Sequence, residues 1–239
     1  MKPSLLMTAA AGMVAMLAGT ASAQDLRPFP KAQNPVPADS TRIAGGKRIR
    51  ITYENMTPGQ IFAISTFYSH IAGLPPLFAE GKPANPGVMR TAEEGNVGLQ
   101  ADEVAIRIGG PYGSVALAAG TPAGQTRTLE LDVSAQYPMI TGLFMLAQTN
   151  DGFTGVTGVD AYRMTRPVTM DLYAMDAGTE RNNELGPYLI IQGGFERDPE
   201  VEPIRRHPGI RGDADLPPKW KFDPNRPVGR ITFTPVSGG

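Results

Sequence analysis

The stretch G-K-R-I-R-I-T-Y-E-N, residues 46–55, alternates Ile49, Ile51 and Tyr53 with Arg48, Arg50 and Thr52. A period of two puts the apolar set on one face of a strand and the polar set on the other, so this stretch predicts a half-buried antiparallel strand. Residues 61–68, I-F-A-I-S-T-F-Y, form a second strand-like run. Between the two, M-T-P-G at 56–59 places Pro and Gly where a type II turn takes them, which predicts a hairpin. Further strand candidates are 104–108, 114–118, 126–134 with Leu129, Leu131 and Val133 alternating, 139–147, 168–173, and 229–234 with Ile231 and Phe233 on one side. Prolines break up residues 73–100, leaving room for one short helix over 86–94 that Gly95-Asn96 would end. About eight short strands separated by turn signals imply an all-β fold, an antiparallel β-sandwich with long loops, barrel closure being the alternative.

Composition agrees with a turn-rich sheet protein. Gly and Pro number 28 and 23 of 239 residues, well above their usual share of about 12%. The chain opens with Lys2, an apolar run over 5–17 and small residues ending Ala21-Ser22-Ala23, which predicts a signal peptide over 1–23 and export to the periplasm or beyond. No other segment approaches the ~18 continuous apolar residues of a membrane span, so none is expected in the mature protein. Residues 24–44 are Pro-rich and aperiodic and are expected to be a linker, with 45–239 as the domain. Cysteine is absent although disulfides persist in an oxidising compartment, so the core, or a bound ion, has to hold the loops. A formal net charge of −1 gives no footprint for nucleic acid or an anionic membrane.

Most catalytic constellations are excluded by inspection. With two histidines, His70 and His207, a three-His zinc site cannot form, and H-E-x-x-H is missing. Ser114 lies in Y-G-S-V-A rather than G-x-S-x-G, there is no P-loop, and a Cys nucleophile is impossible. A carboxylate pair of the glycosidase type is what remains, so a periplasmic hydrolase is the enzymatic alternative.

Two apolar runs end in loops rich in oxygen ligands. Residues 139–147 lead into Q-T-N-D-G-F and 168–173 into A-M-D-A-G-T-E. Asp151, Asp176 and Glu180 would give a calcium ion three carboxylates, with carbonyls and water completing six to eight oxygens. The competing explanation is a pair of solvated turns, since Asp caps its own backbone and Gly supplies positive φ.

The motifs N-M-T-P-G-Q (55–60), T-N-D-G-F (149–153), D-A-G-T-E (176–180) and H-P-G-I (207–210) together resemble the spondin N-terminal domain, in particular its short bacterial members. The resemblance spans about residues 47–234. It implies a C2-like β-sandwich in a secreted protein, and a calcium ion held by acids of two loops, which fall on Asp151, Asp176 and Glu180. Animal members usually carry Asp where Glu180 stands. Their cysteines and adjoining repeats are missing here, so their adhesive partners transfer less well than the ion site. The expectation is a secreted, non-catalytic, calcium-binding module that engages a protein or glycan partner; a metal-free structural envelope protein is the third alternative.

Other polar residues have plainer expectations. Glu184 is expected to face water, and Asp160 and Asp171 to form surface ion pairs of little energetic weight. His207, among Arg205, Arg206 and Arg211, is expected to bond a neighbouring carbonyl in a Pro208-Gly209 turn rather than to recognise an anionic glycan. His70 is expected to be a satisfied core or edge residue. Trp220 is expected to plug one end of the sandwich rather than offer a platform for sugar, and the N-x-T match at Asn55 to be accidental.

Overall fold

The computed structural model describes residues 42–95, 113–194 and 196–236. The expected signal peptide, residues 24–41 of the linker and the strand candidate at 104–108 lie outside these. Ten strands and one α-helix are formed among the described residues: β1 (Lys47–Asn55), β2 (Ser65–His70), α1 (Pro86–Glu94), β3 (Ser114–Ala118), β4 (Thr126–Val133), β5 (Met139–Met145), β6 (Gly152–Asp160), β7 (Val168–Leu172), β8 (Met175–Asp176), β9 (Arg205–Arg206) and β10 (Gly229–Pro235). They make two antiparallel sheets, β4-β1-β10-β7 and β3-β2-β5-β6-β8-β9. The protein is an all-β sandwich. Among the described residues no helix is long and apolar enough to cross a membrane.

The alternation in β1 fixes the core. Ile49, Ile51 and Tyr53 are buried and oppose Leu131, Leu129 and Arg127 of β4 on one side and Pro235, Phe233 and Ile231 of β10 on the other. From the facing sheet, Phe67, Ile140, Phe144 and Val156 complete this cluster, with Tyr53, Phe62, Phe67 and Phe144 stacked or tilted at its centre. Outer positions of β1 stay polar: Arg48 and Arg50 pair with Glu130, and Arg48 also with Asp132.

The six-stranded sheet is covered on both faces, which explains why β2 is buried at every position. Tyr68, Leu143 and Phe153 turn away from the sandwich core onto Val88 and Ala92 of α1 and onto Leu77. The helix forms as its caps predict. Asn85 accepts from the Val88 amide at 3.0 Å, Pro86 opens the first turn, and Gly95 closes the last with φ of 66°.

The hairpin expected between 46–55 and 61–68 does not form. β2 pairs with β3 and β5, in the sheet opposite β1. The crossing segment is held by side-chain amides that satisfy its backbone. Asn55 Nδ2 donates to the carbonyls of Gln60 (2.9 Å) and Thr121 (2.8 Å), and its Oδ1 accepts from the Thr57 amide and hydroxyl. Asn55 is buried with both amide hydrogens engaged, so the N-x-T match carries no accessible acceptor. Nor does Gly59 adopt the positive φ of a type II turn. It is glycine for a different reason: a Cβ there would lie 2.0 Å from Trp220 Cδ1. Trp220 plugs that end as expected, clustered with Leu189, Ile210 and Leu216.

Candidate functional site

Register brings the two acidic loops together. Gly152 at the start of β6 opposes Asp176 of β8, and Asp176 opposes Arg205 of β9, so three strands deliver Asp151, Asp176 and Arg205 to one row at the edge of the sheet. Two reciprocal bonds tie the loops together beyond the strands: Asn150 Nδ2 donates to Asn183 Oδ1 at 3.2 Å, and the Asn183 amide donates to Asn150 Oδ1 at 3.3 Å. Gly178 takes φ of 72° and packs so closely that a Cβ would lie 2.3 Å from the Glu202 carbonyl oxygen. Only glycine meets both conditions.

Asp151 and Asp176 are both fully buried. Asp151 Oδ2 accepts from the amides of Thr179 (2.7 Å) and Glu180 (3.0 Å) and from the Thr179 hydroxyl (3.3 Å). Its other oxygen, Oδ1, is buried with no hydrogen-bond partner. Asp176 Oδ1 accepts from the Gly178 amide at 2.7 Å, while Oδ2 receives Asn182 Nδ2 at 2.6 Å and lies 3.1 Å from Arg205 Nη2. Burial, and after it the charge of Asp176, push the Asp151 carboxyl up to about 7 despite the three donors on its other oxygen. An acceptor buried at this cost calls for a proton or a cation.

Glu180 stands beside Asp151 through its backbone, but its carboxylate goes elsewhere. Arg197 Nε donates to Glu180 Oε1 at 2.8 Å and Arg197 Nη2 to Glu93 Oε1 at 2.7 Å, so one guanidinium fork is divided between the loop and the end of α1. Burial raises the Glu180 pKa, with Glu93 adding to the rise and Arg197 opposing it. Two carboxylates therefore converge, at Asp151 and Asp176. Among the described residues no group of three or more His, Cys, Asp or Glu is arranged to hold a metal ion. The remaining oxygens of a hard-ion shell would have to be carbonyls and water.

Glu184 does not face water. It is buried, takes φ of 58°, and accepts from the amides of Arg211 (2.5 Å) and Gly212 (2.8 Å), while Asp215 Oδ2 accepts from the Gly186 amide at 2.7 Å. The reason is local: two adjacent amides in a turn with no ladder partner need an acceptor, and a carboxylate supplies both. Glu184 thus clasps the 182–186 loop to the 211–215 loop.

His207 is buried too, and its Nδ1 accepts from the Gly209 amide at 3.0 Å instead of bonding a carbonyl. Nε2 therefore carries the proton and cannot ligate a metal. Burial, with Arg205 adding to it, lowers the imidazole to about 3. Arg205, Arg206 and Arg211 are each engaged within the chain, with Asp176 and Glu200, with the Tyr173 ring, and with Glu184 and Asp213 respectively. His70 is satisfied by the Ile71 carbonyl and the Thr141 hydroxyl, and Asp160 and Asp171 pair with Arg163 and Arg230 at the surface.

Two residues of this network, Arg197 and Glu93, were missed from the sequence, and Arg205 was read only as a neighbour of His207. No motif marks them, and Glu93 meets Arg197 across 104 positions. Neither a family model nor a curated protein matches the chain, so what the site does rests on its own geometry.

Proposed function

We propose that this is an exported, non-catalytic β-sandwich module of the spondin N-terminal type, in which a calcium ion at Asp151 and Asp176 fixes the loops at one sheet edge for a protein or glycan partner. The observation that carries the reading is the unpartnered, buried Oδ1 of Asp151 beside a second buried carboxylate. The ion would supply the positive charge that this oxygen lacks and hold Asp151 deprotonated at neutral pH. Asp151 and Asp176 would contribute carboxylate oxygens. Glu180 supports the site from outside by orienting Asp151 through its amide and by tying the loop to α1 through Arg197. Full burial of both acids also speaks against a glycosidase pair, which must meet a sugar from two sides of an open cleft.

The test is a thermal melt of the purified protein in calcium chloride, in magnesium chloride and in chelator, repeated with Asp176→Asn. A ligand at ~100 times its dissociation constant adds about 2.7 kcal/mol, a shift of several degrees for a domain of this size. Calcium should raise the wild-type midpoint and leave Asp176→Asn where it was. Superimposed wild-type curves, with no heat of binding on direct titration, would leave a protonated Asp151 and a metal-free structural module.

A further inference from the structure

We propose that Arg205 is a resident counter-cation that an incoming divalent ion must displace, and that Arg205 and its second anchor, Glu200, set how tightly the Asp151–Asp176 pair takes the ion. This rests on the calcium reading above. β9 holds Arg205 directly opposite Asp176, and its Nη2 lies 3.1 Å from Asp176 Oδ2. The same nitrogen contacts Glu200 Oε1, so one guanidinium edge is shared by two carboxylates. Asp151 and Asp176 are fully buried, whereas the Arg205 side chain is 37% exposed. The guanidinium is therefore the solvent-reachable charge in contact with the buried pair, through Asp176.

A guanidinium stays protonated under any relevant condition, so it competes with a metal ion at every pH. It also ends in a flexible chain, while the strand that carries it is fixed. The His207 amide donates to the Ala174 carbonyl at 3.0 Å, and the Glu200 amide donates to the Thr179 carbonyl at 3.0 Å. The strand ladder holds Asp176 between Gly152 and Arg205, so the backbones of Arg205 and of both its anchors are tied, and the moving part is the side chain. Releasing Asp176 while keeping Glu200 costs one of its two ion pairs and removes a positive charge from the ion's position. Without that second anchor the guanidinium would have only Asp176.

Isothermal titration with calcium chloride tests this on the full chain, on Arg205→Gln, on Glu200→Gln and on the double variant. Arg205→Gln should bind calcium at least about tenfold more tightly, since a like charge beside the ion is gone. Glu200→Gln should bind more weakly, and in the Arg205→Gln background the same change should have little effect, because Glu200 acts through Arg205. Arg206→Gln removes an equal charge one residue away, from the Tyr173 ring, and should leave affinity near that of the wild type. An unchanged or weaker affinity in Arg205→Gln, or a gain in Arg206→Gln as large, would overturn the displacement role while leaving calcium binding in place. Absence of calcium binding in wild type and Arg205→Gln alike would overturn the calcium reading and this inference together. Should Arg205→Gln not fold, Arg205→Met takes its place in the same cycle with Glu200→Gln.

Discussion

Replacing Asp151 by Asn removes one ionisable proton from a fully buried acid of the loop network while keeping its shape and its acceptor for the Thr179 and Glu180 amides. In the wild type the carboxyl is held at about 7, against an ordinary value of 3.8, by burial first and the Asp176 charge second. Between those values the folded protein retains a proton that the unfolded chain has lost, so stability falls as pH rises through the window. At 1.36 kcal/mol per pH unit, the window from 3.8 to about 7 integrates to about 4 kcal/mol. Urea unfolding in chelator should therefore show the wild type losing about 4 kcal/mol relative to Asp151→Asn between about pH 4 and about pH 7, with a constant difference above that. Saturating calcium should reverse the trend above pH 7, stabilising the wild type and not the variant, because a proton and a cation compete for one oxygen. A difference that does not change with pH would refute the argument that Oδ1 is a costly buried acceptor. Equal stabilisation of both proteins by calcium would place the ion elsewhere.

His207 carries the opposite dependence. Its imidazole stays neutral in the fold down to about 3 while the unfolded chain protonates near 6.5, so its contribution is fully present above 6.5 and is lost as pH falls. Stability of the wild type relative to His207→Gln should drop by about 1.4 kcal/mol per pH unit below 6.5 in urea titrations; parallel curves would show that the ring is not held neutral by the fold. Gly59→Ala places a methyl group 2.0 Å from Trp220 Cδ1 and should destabilise by about 1–3 kcal/mol in a thermal melt, together with a change in Trp220 fluorescence. An unshifted midpoint and spectrum would mean that the ring yields freely.

The parts of the fold that were legible in the sequence are those whose information is local. Alternation in β1, β4 and β10, and the Asn85, Pro86 and Gly95 caps of α1, act within a few residues and recur in the structure. β6 was missed because G-F-T-G-V-T-G-V-D carries three glycines, which weaken strand propensity. At least one of them is demanded by pairing: a Cβ on Gly155 would lie 2.4 Å from the Gly142 carbonyl oxygen, beside a register shift between Ile140 and Gly142. The β1–β2 hairpin was misplaced because the bonds that turn the chain into the other sheet are long-range: Asn55 Nδ2 donates to the Thr121 carbonyl and Gln60 Oε1 accepts from the Gln148 amide. At the site, Asp151 and Asp176 stood out through their glycine-containing turns. Arg205 and Arg197 did not, because strand register and the docking of α1 decide where they point. Glu184 was misjudged because an acid facing water and an acid serving two backbone amides look alike in sequence.

The brevity of β9 has a consequence for how the molecule behaves in a crowd. A sheet edge invites any passing strand, and the six-stranded sheet ends here in two residues, Arg205 and Arg206, bracketed by Pro203 and Pro208. Two positions give an intruding chain too few hydrogen bonds to hold, the flanking prolines offer no amides, and two like charges repel a basic strand. The same stub that carries Arg205 to Asp176 thereby closes this edge to self-association, so aggregation at high concentration is expected to start elsewhere, at β7, where Val168 and Met170 are exposed on the outer strand of the other sheet.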